Sequence, residues 1–291
     1  MLTRELLADV RRLQFRARRR AEGLITGEFH TAFKGQGVEF ADVREYEPGD
    51  DVRTIDWNVT ARAGRPYIKR FNEERLREVV VCVDASASMA FGSGSKDKRR
   101  LSLEVCAVLS MAAALSGDAP GMVLFTNAVE RAIAPARGTR QAMRIIRELV
   151  AYEPRSRETN LAAAVTHLAR TRSRRALVFL VSDFLDTIDE RSLRMLARRH
   201  ETIGVVIEDP RESEAPRLGL ARFQDPETGR TGVVDLSGGS RLRTYHAAAL
   251  EHAAVRDAAL ARAGVDRVVL RTNEPFIVEL ERFLRQRETR R

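Results

Sequence analysis

Val79-Val80-Val81-Cys82-Val83-Asp84-Ala85-Ser86-Ala87-Ser88 is the stretch on which the fold turns. A run of valines with no helical period reads as a strand buried on both faces, the habit of parallel sheets. It ends in an acid and two serines spaced two apart, so three oxygen side chains arrive at its C-terminal tip, where open α/β sheets bind ligands. Small, hard oxygen donors suit a divalent cation such as Mg²⁺ or Mn²⁺. The plainer alternative is a serine-rich turn into a helix, with Ser88 as its N-cap.

Two downstream pieces give the stretch its meaning. Glu158-Thr159-Asn160-Leu161 lies between two helical patterns, and Val178-Phe179-Leu180-Val181-Ser182-Asp183 is a second apolar strand ending in an acid. The order Asp84-x-Ser86-x-Ser88, then Thr159, then Asp183 resembles the metal-ion-dependent adhesion site of von Willebrand factor A domains. The resemblance implies that Ser86 and Ser88 ligate Mg²⁺ or Mn²⁺ directly and Thr159 directly or through water. Asp84 and Asp183 would act through hydrogen bonds and bridging waters. Many such domains carry glycine where Glu158 stands. A carboxylate there either takes the open metal position at rest or faces solvent, and solvent is the expectation.

Upstream, Leu2, Leu6, Val10 and Leu13 recur at helical spacing opposite Arg4, Arg11, Arg12 and Arg18, which predicts an amphipathic helix docked on the body. From Phe33 to Arg70 glycines, Pro48-Gly49 and short alternating segments predict a small β-rich module. This module carries Gly35-x-Gly37-x-Glu39-Phe40, Arg44-x-Tyr46, Gly49-Asp50, Arg53-x-Ile55-Asp56-Trp57 and Ala61-Arg62. That block is similar to the signature of the bacterial "domain of unknown function 58" family, in which it precedes a von Willebrand A-like domain. Gly35-x-Gly37 as a nucleotide loop fails, because no clear strand precedes it and no clear helix follows. The cluster of Asp50, Asp51, Asp56, Arg44, Arg53 and Arg62 is expected to rigidify the module rather than to meet a partner.

Downstream the chain alternates. The reading places a helix over Leu101 to Leu115, strands at Val123 to Phe125 and Val129 to Ile133, and helices carrying Ile145 to Leu149 and Leu161 to Leu168. A strand at Ala176 to Ser182, a helix with Leu193 and Leu196, and a strand at Ile203 to Ile207 follow. Asp225-Pro226-Glu227-Thr228-Gly229 is expected to turn an inserted hairpin that shapes a partner surface. A long helix from about Arg241, a strand at Arg267 to Arg271 and a last helix after Pro275 complete the series. The expected architecture is α/β, with a doubly wound, mostly parallel sheet over 78–291 and an N-terminal helix and β-rich module over 1–77.

Composition narrows the function. The chain has 291 residues and a net charge of +9, but the arginines are interleaved with 41 acids and no aromatic platform for bases stands out, so nucleic-acid binding is a minor reading. Only four lysines occur, so the positive charge is mostly guanidinium, suited to acidic protein partners. Cys82 and Cys106 read as reduced core residues. The apolar stretch Val105 to Leu115 falls short of the ~20 residues that span a bilayer. With no leader pattern, a cytoplasmic protein without membrane contact is expected.

A Mg²⁺-dependent phosphohydrolase is the rival chemistry. It wants a second acid where Ser86 stands and a lysine on the intervening segment, and the reading finds neither. His30, His167, His200, His246 and His252 form no metal-ligand pair at helical spacing and are expected to be surface or capping residues. The expectation is therefore a non-enzymatic, metal-dependent adaptor. The family resemblance implies a MoxR-type AAA+ ATPase as partner in chaperone-like maturation or remodelling of a client protein, with an acidic partner side chain completing the metal.

Overall fold

The computed structural model describes residues 4–26, 39–47, 50, 55–72, 77–171 and 174–289. Two compact units are present, Met1–Phe33 with Glu78–Arg291, and Lys34–Arg77.

The larger unit is built on a six-stranded sheet. Its strands are β3 (Glu78–Asp84), β4 (Ala119–Phe125), β5 (Val129–Ile133), β6 (Ala176–Ser182), β7 (Glu201–Glu208) and β10 (Asp266–Arg271), in the spatial order β10-β7-β6-β3-β4-β5. All neighbours are parallel except β4 and β5, which the turn at Thr126 joins antiparallel. The valine run is β3, and its alternation is visible in the packing. Val79, Val81 and Val83 enter one core while Val80 and Cys82 enter the other, as a period of two requires.

Helices cover both faces. On the first lie α1 (Arg4–Thr26), α3 (Lys98–Leu115), α4 (Thr139–Ala151) and α9 (Phe276–Thr289). On the second lie α5 (Leu161–Thr171), α6 (Glu190–Arg199) and α8 (Gly239–Arg262). The doubly wound α/β fold is therefore as the sequence predicts. Helix α1 packs on α3 and α4 through Val10, Leu13, Ala17, Ala21 and Leu24. Its stripe runs further along the helix than the leucine pattern indicates, while Leu2 and the Leu6 side chain lie outside the described residues. Arg20 pins this docking, 3.3 Å from Glu104 and stacked over Phe276.

Chain connectivity sets the position of the site. From β3 the chain runs to β4 and β5 on one side, then returns to β6 on the other. The direction of winding thus reverses between β3 and β6, and such switch points open a crevice at the carboxyl ends of the strands. Cys82 and Cys106 are buried and unoxidised, and burial holds both thiols up in pKa, so they serve as packing.

Two further pieces complete this unit. Helix α7 (Pro210–Ser213) follows β7, and strands β8 (Leu220–Gln224) and β9 (Thr231–Asp235) form the expected two-stranded hairpin. Among the described residues no helix is long and apolar enough to cross a membrane.

The smaller unit pairs β1 (Glu39–Glu45) with β2 (Tyr67–Asn72) antiparallel. Between them α2 (Trp57–Ala63), which the sequence reading does not anticipate, is capped by Asp56, whose carboxylate accepts the amides of Asn58 and Val59. Gly64 ends the helix at φ 70°, a left-handed conformation that favours glycine. Asp50 accepts from Arg44 at 2.6 Å and from the Glu47 amide at 2.9 Å, so these acids hold the local chain together. Phe33, Gly35, Gly37, Pro48, Gly49, Asp51, Arg53 and His30 lie outside the described residues.

Candidate metal centre

Asp84 ends β3 and Ser182 ends β6, side by side at the switch point. The Ser182 hydroxyl donates to Asp84 Oδ2 at 2.7 Å and the Ser86 amide to Asp84 Oδ1 at 2.9 Å. Asp84 is thus fixed by its neighbours and can orient what lies above it. Ser86 leads into a single 3₁₀ turn at Ala87–Ala90, and its side chain makes no capping bond. Instead Ser86 Oγ and Ser88 Oγ lie 3.1 Å apart, both buried. The capping alternative for Ser88 fails on this geometry.

Thr159 reaches the same rim on a loop stitched to it from both sides. Ala87 donates its amide to the Arg157 carbonyl at 2.9 Å, and the Asn160 amide donates to Thr126 O at 2.9 Å. The Thr159 hydroxyl turns to the β8–β9 hairpin, donating to Glu227 Oε1 at 2.7 Å. Glu158 is exposed, as expected. The carboxylate that approaches the rim comes from elsewhere in the chain.

Asp183 is buried next to Asp84 but does not stand alone. Lys98, fully buried at the first position of α3, donates to Asp183 Oδ2 at 2.7 Å and also to Glu212 of α7. Burial pulls this ammonium down, but the charges of Asp183 and then Glu212 outweigh it and hold it above the ordinary lysine value. A lysine on the segment between the two acids is therefore present, correcting the sequence expectation that none is placed there. Phe184, immediately after Asp183, is buried with φ 54°. A bulky residue there stores of order 1–3 kcal/mol of strain, the kind kept where surrounding structure fixes a functional turn.

The donors fit a hard cation in most respects. Two ligands at right angles on an ion with bonds of 2.0–2.1 Å stand about 2.9 Å apart, close to the 3.1 Å between the serine hydroxyls. Burial, and after it the charge of Asp183, raise the Asp84 carboxyl to about 6 against the hydrogen bonds of Ser86 and Ser182. Among the described residues no ion pair offsets Asp84, so a cation above it would answer an uncompensated charge. The fit is looser at Asp183, whose charge Lys98 already meets. No group of three or more His, Cys, Asp or Glu among the described residues is placed to hold a metal. Any ion here would rest on hydroxyl oxygens: Ser86, Ser88 and Thr159 as direct donors, Asp84 and Asp183 behind them.

Beside Asp183 a groove of about 590 Å³ opens between α7 and α8, lined by Glu208, Glu212, Glu214 and Asp257 among others. Arg256, its buried cation, is held by Glu208 at 2.9 Å and Asp257 at 3.1 Å. Arg271 lines it too, but the carboxylates outnumber the guanidinium groups, which disfavours a phosphate dianion. Of the histidines, His200 is the C-cap residue of α6, buried there with its Nδ1 accepting the Ala176 amide at 3.2 Å.

Lys98, Ser182, Glu212 and Glu227 are the site residues the sequence reading missed. Lys98 is one of four lysines, and Lys96 two residues before it is partly exposed, so residue type alone does not mark it. Ser182 precedes Asp183 in the quoted strand. Glu212 and Glu227 gave no signal, because what they touch lies 114 and 68 residues away.

Comparison with known proteins agrees with this architecture. The family model described as "Protein of unknown function DUF58" matches residues 42–255. The uncharacterized protein Mb1516 of Mycobacterium bovis is 31% identical over 287 residues, covering 97% of this chain and 90% of its own. Uncharacterized protein Rv1480 of Mycobacterium tuberculosis matches with the same 31% identity and the same coverage, 97% and 90%. Among solved structures, the conserved hypothetical protein BatB from Bacteroides thetaiotaomicron superposes with a TM-score of 0.50 at 12% identity, over 73% of this chain and 99% of that one. At that identity the likeness concerns the fold alone.

Proposed function

Given that the chain belongs to the DUF58 family, we propose that it is a non-enzymatic, metal-dependent protein-binding adaptor of the cytoplasm. The observation that carries this reading is the convergence of Asp84, Ser86 and Ser88 with Ser182 and Asp183 at the switch point between β3 and β6. The rim resembles a metal-ion-dependent adhesion site. Mg²⁺, or Mn²⁺, is held by Ser86, Ser88 and Thr159 and steadied by Asp84 and Asp183. Neutral hydroxyl donors leave most of the ion's charge in place, so what it supplies is attraction for a carboxylate from another protein.

The chain's own residues do the rest. Asp84 is locked by Ser182 and the Ser86 amide, which fixes the start of the serine turn at the end of β3. The partner proposed from the family resemblance is a MoxR-type AAA+ ATPase acting with this chain on a client protein in chaperone-like maturation or remodelling. An ion at a concentration equal to its dissociation constant adds only about 0.4 kcal/mol of stability, so its use is recognition rather than stapling.

One observation favours a second reading. Lys98 beside Asp183 supplies a cation that a Mg²⁺-dependent phosphohydrolase would use. Against it, serine stands where the general acid is needed, and the neighbouring groove is lined by carboxylates.

The test is retention of a MoxR-type ATPase from the same cell on this protein, with Mg²⁺, with EDTA, and with the pair Ser86→Ala and Ser88→Ala. Loss of binding in EDTA and in the double variant is the expected result. Binding indifferent to both would remove the metal from the mechanism. Absence of binding under every condition, together with phosphoester hydrolysis lost in Asp84→Asn, would transfer the site to the second reading.

A further inference from the structure

We propose that Glu227, at the tip of the β8–β9 hairpin, is the chain's own ligand for the rim, holding the acid-accepting position until a partner's carboxylate displaces it. This inference rests on the metal-dependent reading above.

The first support is geometric. Glu227 Oε1 accepts the Thr159 hydroxyl at 2.7 Å, which brings a carboxylate against one of the proposed donor oxygens. A second contact comes from the loop that serves the serines. Arg157 accepts the Ala87 amide on its carbonyl and donates its Nε to the Pro226 carbonyl at 2.8 Å. One residue thus joins the serine turn to the hairpin tip.

The tip is also built in advance. Asp225 accepts the amides of Glu227 at 2.9 Å and Thr228 at 3.3 Å and the Thr228 hydroxyl at 2.5 Å, and Gly229 completes the turn at φ 72°. The carboxylate is therefore presented on a preformed loop, with little further ordering needed.

Its attachment is nonetheless suited to release. Among the described residues the hairpin strands pair only with each other, and Leu220 and Val233 are 77% and 64% exposed. Against that exposure Pro226 and Glu227 are half-buried, which locates the contact at the rim. Glu158, next to Thr159 in sequence, is solvent-exposed. The acid that touches the Thr159 hydroxyl is the one brought by the hairpin.

The experiment is a Mn²⁺ titration of the full chain, wild type against Glu227→Gln, Glu227→Ala and Glu158→Gln. Free Mn²⁺ is read by electron paramagnetic resonance, and water on bound Mn²⁺ by proton relaxation. Replacing Glu227 is expected to weaken Mn²⁺ binding about tenfold or more and to raise the relaxation per bound ion, because water fills the vacated position. Glu158→Gln is expected to behave as wild type. Hydrogen exchange at 225–229 should slow on adding Mn²⁺ to the wild type and remain unchanged in Glu227→Gln. Equal Mn²⁺ affinity and relaxation in wild type and both Glu227 variants would overturn the inference while leaving the metal reading intact. No Mn²⁺ binding by the wild type would overturn both.

Discussion

Replacing Lys98 by methionine keeps the length and much of the volume of the side chain and deletes its charge. Asp183, 3% exposed, then loses its ion-pair partner in a site shielded from water, whereas Glu212 keeps partial access to solvent. Removing one partner of a buried ion pair costs about 3–5 kcal/mol, because the other charge is stranded. For a unit of this size that lowers the melting temperature by roughly 10 °C. The double variant Lys98→Met with Asp183→Asn leaves only Glu212 unpaired, which has partial access to solvent, and should recover to within about 1 kcal/mol of wild type. Far-UV circular dichroism is the right probe, since the only tryptophan, Trp57, belongs to the smaller unit and reports on that unit instead. If a cation also binds at the rim, Mg²⁺ should stabilise Lys98→Met more than wild type, because it approaches an unmet carboxylate. A single variant within 1 kcal/mol of wild type, or a double variant no better than the single, would refute the view that Lys98 and Asp183 act as a buried pair.

Two further outcomes follow from the surroundings of the rim. Asp209 is buried, and although burial pushes its carboxyl up, hydrogen bonds from Ser93 and Thr272 outweigh that and hold it below the usual aspartate value. A depressed folded pKa contributes stability above about pH 4 that is lost as pH falls through the folded value, so urea midpoints should fall more steeply with acid in wild type than in Asp209→Asn. A Cβ on Gly92 would sit 2.4 Å from the Asp97 Cα and 2.9 Å from the Lys96 carbonyl, so Gly92→Ala should cost about 1–3 kcal/mol. Gly94→Ala, with nothing within 4 Å, should change the melting curve little.

The reach of the sequence follows from which forces are local. The winding of the sheet is legible because an apolar run such as Val79–Val83 needs burial on both sides, and the run of such segments leaves few ways to arrange them. Asp84, Ser86, Ser88 and Asp183 are legible because strand ends fix their own side chains at the rim. Thr159 is placed less directly, by the loop that Ala87 and Thr126 hold. What escapes is pairing across long separations: Lys98 with Asp183, Glu227 with Thr159, Ser93 with Asp209. Nothing in the residues around Lys98 marks its partner, since Gly92 to Asp97 reads as an ordinary polar loop before a capped helix. Helix α2 escapes for another reason. Seven residues are too few for a periodic pattern.

The docking of α1 has a consequence for synthesis. This helix is made before its packing partners, since Leu13, Ala17, Ala21 and Leu24 rest on α3 and α4. Roughly 90 residues, from Thr26 to Leu115, must follow before even α3 exists, a delay of roughly 5–20 s at ordinary translation rates. Throughout that interval the ribosome-bound chain exposes an apolar stripe, flanked by Arg11, Arg12, Arg16, Arg18 and Arg19. Changes to residues 10–24 should therefore register first as loss of yield during expression, before any change in binding at the rim.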